Sequence, residues 1–142
     1  MEELIKQIYQ QAKLLDACPR FTGKERTLED IIALFTSPQG LEFCIKNHFP
    51  NIATLRLFKQ YGVEKYGIYI DAGVVTLRNP KKAVLIGKTS ATVNCDTCER
   101  HDITFMHCAK GTVNASKWSV VHVAMGNGCS VIKNVFNNAI IL

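Results

Sequence analysis

The residues best suited to chemistry lie in one stretch, Cys95-Asp96-Thr97-Cys98-Glu99-Arg100-His101, and His107-Cys108 follows after a short strand-like run. Thiolates and imidazoles are the donors that tetrahedral zinc takes, often with one Cys-x-x-Cys knuckle. Cys95, Cys98, His101 and Cys108, or His107 in its place, could supply four of them. The same pair of thiols could act as a redox dithiol. A second Cys-x-x-Cys is missing, however, and an extended run at about 3.3 Å per residue carries His107 or Cys108 more than about 15 Å from the first donors. Buried, weakly polar core thiols account for the cysteines equally simply. Zinc is the only cofactor these residues suggest.

Other catalytic patterns are sparse. Between residues 66 and 142 the only acids are Asp71, Asp96, Glu99 and Asp102, too few for the carboxylate cluster of a calcium-dependent lyase. There is no Gly-x-Ser-x-Gly elbow, phosphate-binding glycine loop or His-Glu-x-x-His, and Gly126-Asn127-Gly128 reads as a turn. Pairing Cys108 or Cys129 with His101, His107 or His122 gives a nucleophile and a base but no preferred couple. His122, between Val121 and Val123, reads as an outward strand residue. An acid and a histidine drawn from Asp96, Glu99, His101, Asp102 and His107 are what a small-molecule or carbohydrate site would use. Tyr66, Tyr69, Trp118 and Phe136 are stacking candidates for bases or sugars, with core packing as the plainer explanation.

The elements that must position these residues form a loose repeat. Gly67 to Leu77 aligns with Ala83 to Val93 at an offset of 16, and Thr92-Val93-Asn94 recurs as Thr112-Val113-Asn114 at an offset of 20. At an offset of 18, Trp118 aligns with Phe136 and Val121-His122-Val123 with Ala139-Ile140-Ile141. Val, Ile, Thr and aromatics alternate with polar residues in these runs, as in strands with one buried face. The reading is an α+β chain in which N-terminal helices (1–65) cap a C-terminal β-solenoid (66–142), parallel β-helix-like, of 16–20 residues per coil. An antiparallel β-sandwich or roll behind the same helices is the alternative. The coil holding Cys95 to His101 reads as the long one, swollen by an inserted knuckle.

The first part of the chain is helical by pattern. Leu4, Ile5, Ile8, Ala12 and Leu15 share a face in a helix that Cys18-Pro19 ends. Thr27 with Asp30 forms a variant capping box ahead of Leu28, Ile31, Ile32, Leu34 and Phe35. Ser37-Pro38 starts a third helix running to about Asn47, and Pro50 and Gly62 bracket a fourth with Ile52, Leu55 and Phe58 inward. These helices are expected to cover the first coil or to dock a protein partner.

Composition bounds the partners. The 142 residues are 47% hydrophobic and 20% charged, within the range of one well-packed globular unit. The formal charge is +5, but residues 1–65 hold nine bases and eight acids and residues 66–142 hold eight and four. The later bases are mostly single turn residues, which argues against nucleic acid as a partner. No apolar run is long enough for a membrane span or signal peptide, so the expectation is a cytoplasmic protein with reduced thiols. The final run, Ala139, Ile140, Ile141 and Leu142, is an apolar strand with nothing after it to cover it, and is the expected self-association surface. The functional expectation is therefore a non-enzymatic interaction or scaffold protein, a homo-oligomer built through its β-repeat. A carbohydrate- or small-molecule-binding or -active protein, with its site on a coil face or between subunits, is the alternative.

Overall fold

A computed structural model describes residues 2–14 and 27–142, which fall into two compact units, Met1–Gln60 and Tyr61–Leu142. The first is helical, with α1 at Glu2–Leu14, α2 at Leu28–Phe35, α3 at Pro38–Asn47 and α4 at Ile52–Phe58. The starts follow from their caps. Thr27, Ser37 and Asn51 hold extended backbone and accept, through their side-chain oxygens, the N–H groups of Asp30, Gly40 and Thr54. Leu15 and the helix end at Cys18-Pro19 lie outside the described residues.

The unit's core gathers Leu4, Ile5, Ile8, Ile31, Ile32, Cys44, Phe49, Leu55 and Phe58. Phe35 and Phe43 meet Phe49 edge-on, at centroid separations of 5.7 and 5.3 Å. A Cβ at Gly40 would lie 2.2 Å from the Leu34 carbonyl oxygen, so only glycine lets α3 start this close to the end of α2. Burial pushes the Cys44 thiol up to about 12, which keeps it protonated and inert. Among the described residues no helix is long and apolar enough to cross a membrane.

The second unit is a parallel β-solenoid of about four turns. Its strands are β1 Ile68–Ile70, β2 Gly73–Arg78, β3 Lys82–Ile86, β4 Thr89–Cys95 and β5 Arg100–Met106. They continue as β6 Lys110–Ala115, β7 Val120–Met125, β8 Ser130–Val135 and β9 Ile140–Ile141. Odd strands stack as one sheet, β1-β3-β5-β7-β9, and even strands as the other, β2-β4-β6-β8. Every pair is parallel, so the antiparallel sandwich or roll is not adopted.

The register corrects two expectations. Ile68 pairs with Val84 and Gly73 with Thr89, an offset of 16, but each later pair is offset by 20, as in Lys82 with Asp102, Ser90 with Lys110 and Val120 with Ile140. No pair is offset by 18, and Val121 faces Ile141 rather than Ala139. Trp118 and Phe136 align by residue type, yet Trp118 is the third residue of its corner turn and Phe136 the first of the next. The coil with Cys95 to His101 is not swollen, because the later coils have the same length. The first coil is short. Where it turns through Asn79-Pro80-Lys81, later coils use the seven-residue spans 95–101 and 115–121.

Corners repeat every ten residues from there on. The N–H of Ala109, Ser119, Cys129 and Ala139 donates to the carbonyl of Met106, Ser116, Gly126 and Phe136 at 3.0–3.3 Å. In three of the four both central residues have positive φ, His107-Cys108, Lys117-Trp118 and Asn137-Asn138, which makes them type I′ turns. Each turn then delivers a small residue, Ala109, Ser119, Cys129 or Ala139, to the inside of the coil.

Inward rows from the two sheets fill that interior. Leu85, Ile103, Phe105, Val93, Val113 and Val121 are completely buried. Phe105 fits because Gly111 faces it across the coil: a Cβ there would lie 2.7 Å from the ring and 2.8 Å from the Ala91 carbonyl oxygen. The row Leu77, Val93, Val113 ends at Lys133, a charged residue at an inward register position of the last coil.

Candidate functional site

The zinc-type residues are not brought to one point. Cys95 ends β4 facing inward, 1% exposed, and packs in the core cluster with Ala115 next to it in register. Burial, then the neighbouring Asp96 carboxylate, pushes its thiol up to about 11. Cys98 is exposed on the turn that follows. His101 is 0% exposed at the far side of that turn, and Cys108 lies at the opposite corner with β5 between them. There the Cys108 sulfur stands where a Cβ on Gly128 would come within 2.9 Å of it, one coil on. Among the described residues no three His, Cys, Asp or Glu side chains form a metal-binding group.

His101 instead joins a polar corner built around the short first coil. Its Nδ1 lies 2.8 Å from the Pro80 carbonyl oxygen, which can only accept, so Nδ1 carries a proton. Its Nε2 faces the Thr97 hydroxyl at 3.3 Å. Asn79 closes the corner reciprocally: its side-chain N–H donates to Asp96 at 2.7 Å and its oxygen accepts the Asp96 N–H at 2.8 Å. Arg78 adds an ion pair to Asp96 at 3.2 Å. The Asn79 bond, with Arg78 and Lys117 nearby, holds the Asp96 carboxyl below the usual carboxylate range. Ser119, also buried, donates to the Cys95 carbonyl at 3.1 Å. The Arg78, Asn79 and Pro80 contacts bridge the short corner to the next one, and the Ser119 bond joins that corner to the third. The residue types are plain in the sequence but this task is not, because the four-residue deficit becomes visible only once Arg78 is paired with Asn94 and Lys82 with Asp102.

The acid and histidine candidates separate into three places. Asp96 and His101 are in that corner and Glu99 is exposed beside it. Asp102 projects outward from the odd-strand sheet, 3.2 Å from Arg100 and 4.0 Å from His122, whose outward position matches expectation. His107 occupies the opposite corner with Cys108. Of the stacking candidates, Tyr69 packs against the core cluster, whereas Trp118 is 64% and Phe136 56% exposed.

The two sheets differ outside. Of the outward residues of the odd-strand sheet, Ile70, Val84, Ile86 and Met106 are buried, whereas His122 and Ile140 are exposed. The even-strand sheet presents an open grid of three outward residues per strand. Its rows across the strands read Val74, Ser90, Lys110, Ser130; then Thr76, Thr92, Thr112, Ile132; then Arg78, Asn94, Asn114, Asn134. The asparagines form a ladder, Asn114 donating to Asn94 at 2.9 Å and Asn134 to Asn114 at 2.8 Å. Trp118 and Phe136 belong to the corners that follow β6 and β8, at the asparagine edge of this grid, and the Trp118 N–H donates to the Asn137 carbonyl at 3.2 Å.

The last coil carries most of the exposed apolar side chains. Six of the nine large exposed hydrophobics among the described residues are Met125, Ile132, Val135, Phe136, Ile140 and Leu142. The outer edge of β8 has no neighbouring strand among the described residues. Of the expected interface residues, Ile140 and Leu142 are exposed, Ile141 is half-buried and Ala139 is buried in the core cluster. No family model matches the chain, and no curated protein or solved structure matches it either.

Proposed function

We propose that the protein is a non-enzymatic interaction scaffold that associates with copies of itself through the last solenoid coil. The observation that carries this reading is the concentration of exposed apolar side chains, Met125, Ile132, Val135, Phe136, Ile140 and Leu142, beside the unpaired edge of β8. A strand edge offers backbone donors and acceptors to another chain, and apolar neighbours supply the driving force. Lys133 limits the arrangement. Lys133 is exposed, but its place in register beyond Val113 is one that a further stacked coil would bury, which opposes the stacking of one coil on another without end, so the expected product is a small closed oligomer rather than a fibre.

Light scattering across a concentration series tests it. The expected mass is a small multiple of 15.9 kDa. Ile132→Lys and removal of residues 140–142 should each lower that mass while circular dichroism retains the β-sheet signal. A monodisperse particle of 15.9 kDa at high concentration would end the reading.

A further inference from the structure

We propose that the outward face of the even-strand sheet, together with the Trp118 and Phe136 corner, binds a linear, sparsely anionic polysaccharide. The face shares Ile132 and Phe136 with the association surface, but Lys110 and Trp118 belong to β6 and the corner after it, one strand in from the β8 edge, and the proposal does not depend on self-association.

The face has the chemistry for it. Its twelve outward positions hold Ser90, Ser130, Thr76, Thr92, Thr112 and three asparagines, which both donate and accept, at roughly 4.8 Å between strands and 6.6 Å along them. Such a grid meets a polymer whose own surface is a series of hydroxyls. Charge sets the sign. No acid projects from the face and residues 103–142 contain none, whereas Arg78 and Lys110 stand on the grid and Lys117 at its corner. Of the corner acids, Asp71 accepts the Lys88 N–H at 2.8 Å and Asp96 is held by Asn79 and Arg78, which leaves Glu99 as an exposed carboxylate beside the corner.

Charge density separates the candidate polyanions. Tight phosphate-chain binders commonly neutralise on the order of six to ten phosphates. With Arg78 tied to Asp96, this face offers Lys110 and Lys117, which suits an occasional carboxylate among neutral hydroxyls better than a phosphate at each unit. Trp118 supplies an independent pointer. It is 64% exposed, although its φ of 66° is a conformation that bulky residues avoid, so neither core packing nor turn preference explains a tryptophan there. An exposed indole beside a hydroxyl and amide grid offers an apolar platform for the flat face of a sugar ring.

Affinity electrophoresis of the full chain in native gels cast with gellan, a linear polysaccharide whose uronates are separated by neutral sugars, tests the proposal, with gels lacking polymer and a labelled oligothymidylate as comparators. Retardation by gellan is expected. Trp118→Ala and Lys110→Glu should each weaken it about tenfold, while Lys6→Glu, the same charge change on α1, retains it. Unchanged mobility in gellan overturns the proposal, as does equal loss in Lys6→Glu or tighter binding to oligothymidylate. Light scattering on the same variants keeps the two readings apart: lost retardation with unchanged mass is a defect of the glycan face alone.

Discussion

At Gly111 the absence of a methyl group decides how the solenoid core packs. Phe105 fills the coil from one sheet, and Gly111 is the gap it needs in the other, so side-chain volume is balanced across the coil rather than within a strand. Gly111→Ala should destabilise the protein by about 1–3 kcal/mol, read as a lower denaturant midpoint at unchanged slope, because the Ala91 backbone on one side cannot yield. The Cys95 thiol and the His101 ring show what residue type alone conveys. Both belong to a pattern that zinc sites use, and both are satisfied locally, Cys95 by burial against Ala115 and His101 by the Pro80 carbonyl and the Thr97 hydroxyl. Donor identity was legible in the sequence. Whether the donors met depended on β5, whose seven residues hold Cys108 a full strand away from His101.

Turns and helix caps differ in how openly the chain declares them. Thr27, Ser37 and Pro38 announce α2 and α3 through local chemistry, and those helices begin where the caps direct. The solenoid corners are less plainly written. Asn137-Asn138 suits a type I′ turn, but His107-Cys108 and Lys117-Trp118 adopt the same left-handed pair without the residues that favour it. A residue search for Asn and Gly therefore passes over them. The signal that would have located them is the small residue ending each turn, Ala109, Ser119, Cys129 and Ala139, one every ten positions. The shared aromatic type of Trp118 and Phe136 masks that spacing, because the two hold different places in their turns and align at 18 rather than 20. Trp118→Gly should relieve the strained turn and stabilise the fold by about 1 kcal/mol, seen as a higher melting temperature, since an exposed indole gives up little packing.

Across the whole molecule, parallel stacking makes most of the solenoid a sum of similar neighbour contacts, which is why its class was legible from loosely repeated strands alone. The open grid on the even-strand sheet was not. Thr92 and Thr112, or Asn94 and Asn114, look like ordinary strand residues until the offset of 20 sets them side by side. The apolar last coil was legible as a run of residue types, though Ala139 turned out to serve the core and Ile132, Val135 and Phe136 joined the exposed set.

The unequal corners also determine where the protein can grow. Beyond the short Asn79-Pro80-Lys81 corner, any segment of twenty residues occupies one full circuit, so a tandem copy of it advances every later residue by one rung without changing what that residue faces. Duplicating residues 106–125 should therefore yield a folded protein that scattering finds longer by about 4.8 Å, the spacing of neighbouring strands. Below that corner the phase is different, and a twenty-residue insertion between β2 and β3 would leave His101 without the Pro80 carbonyl. The first coil acts as a fixed origin, and the rest is a length the gene is free to set.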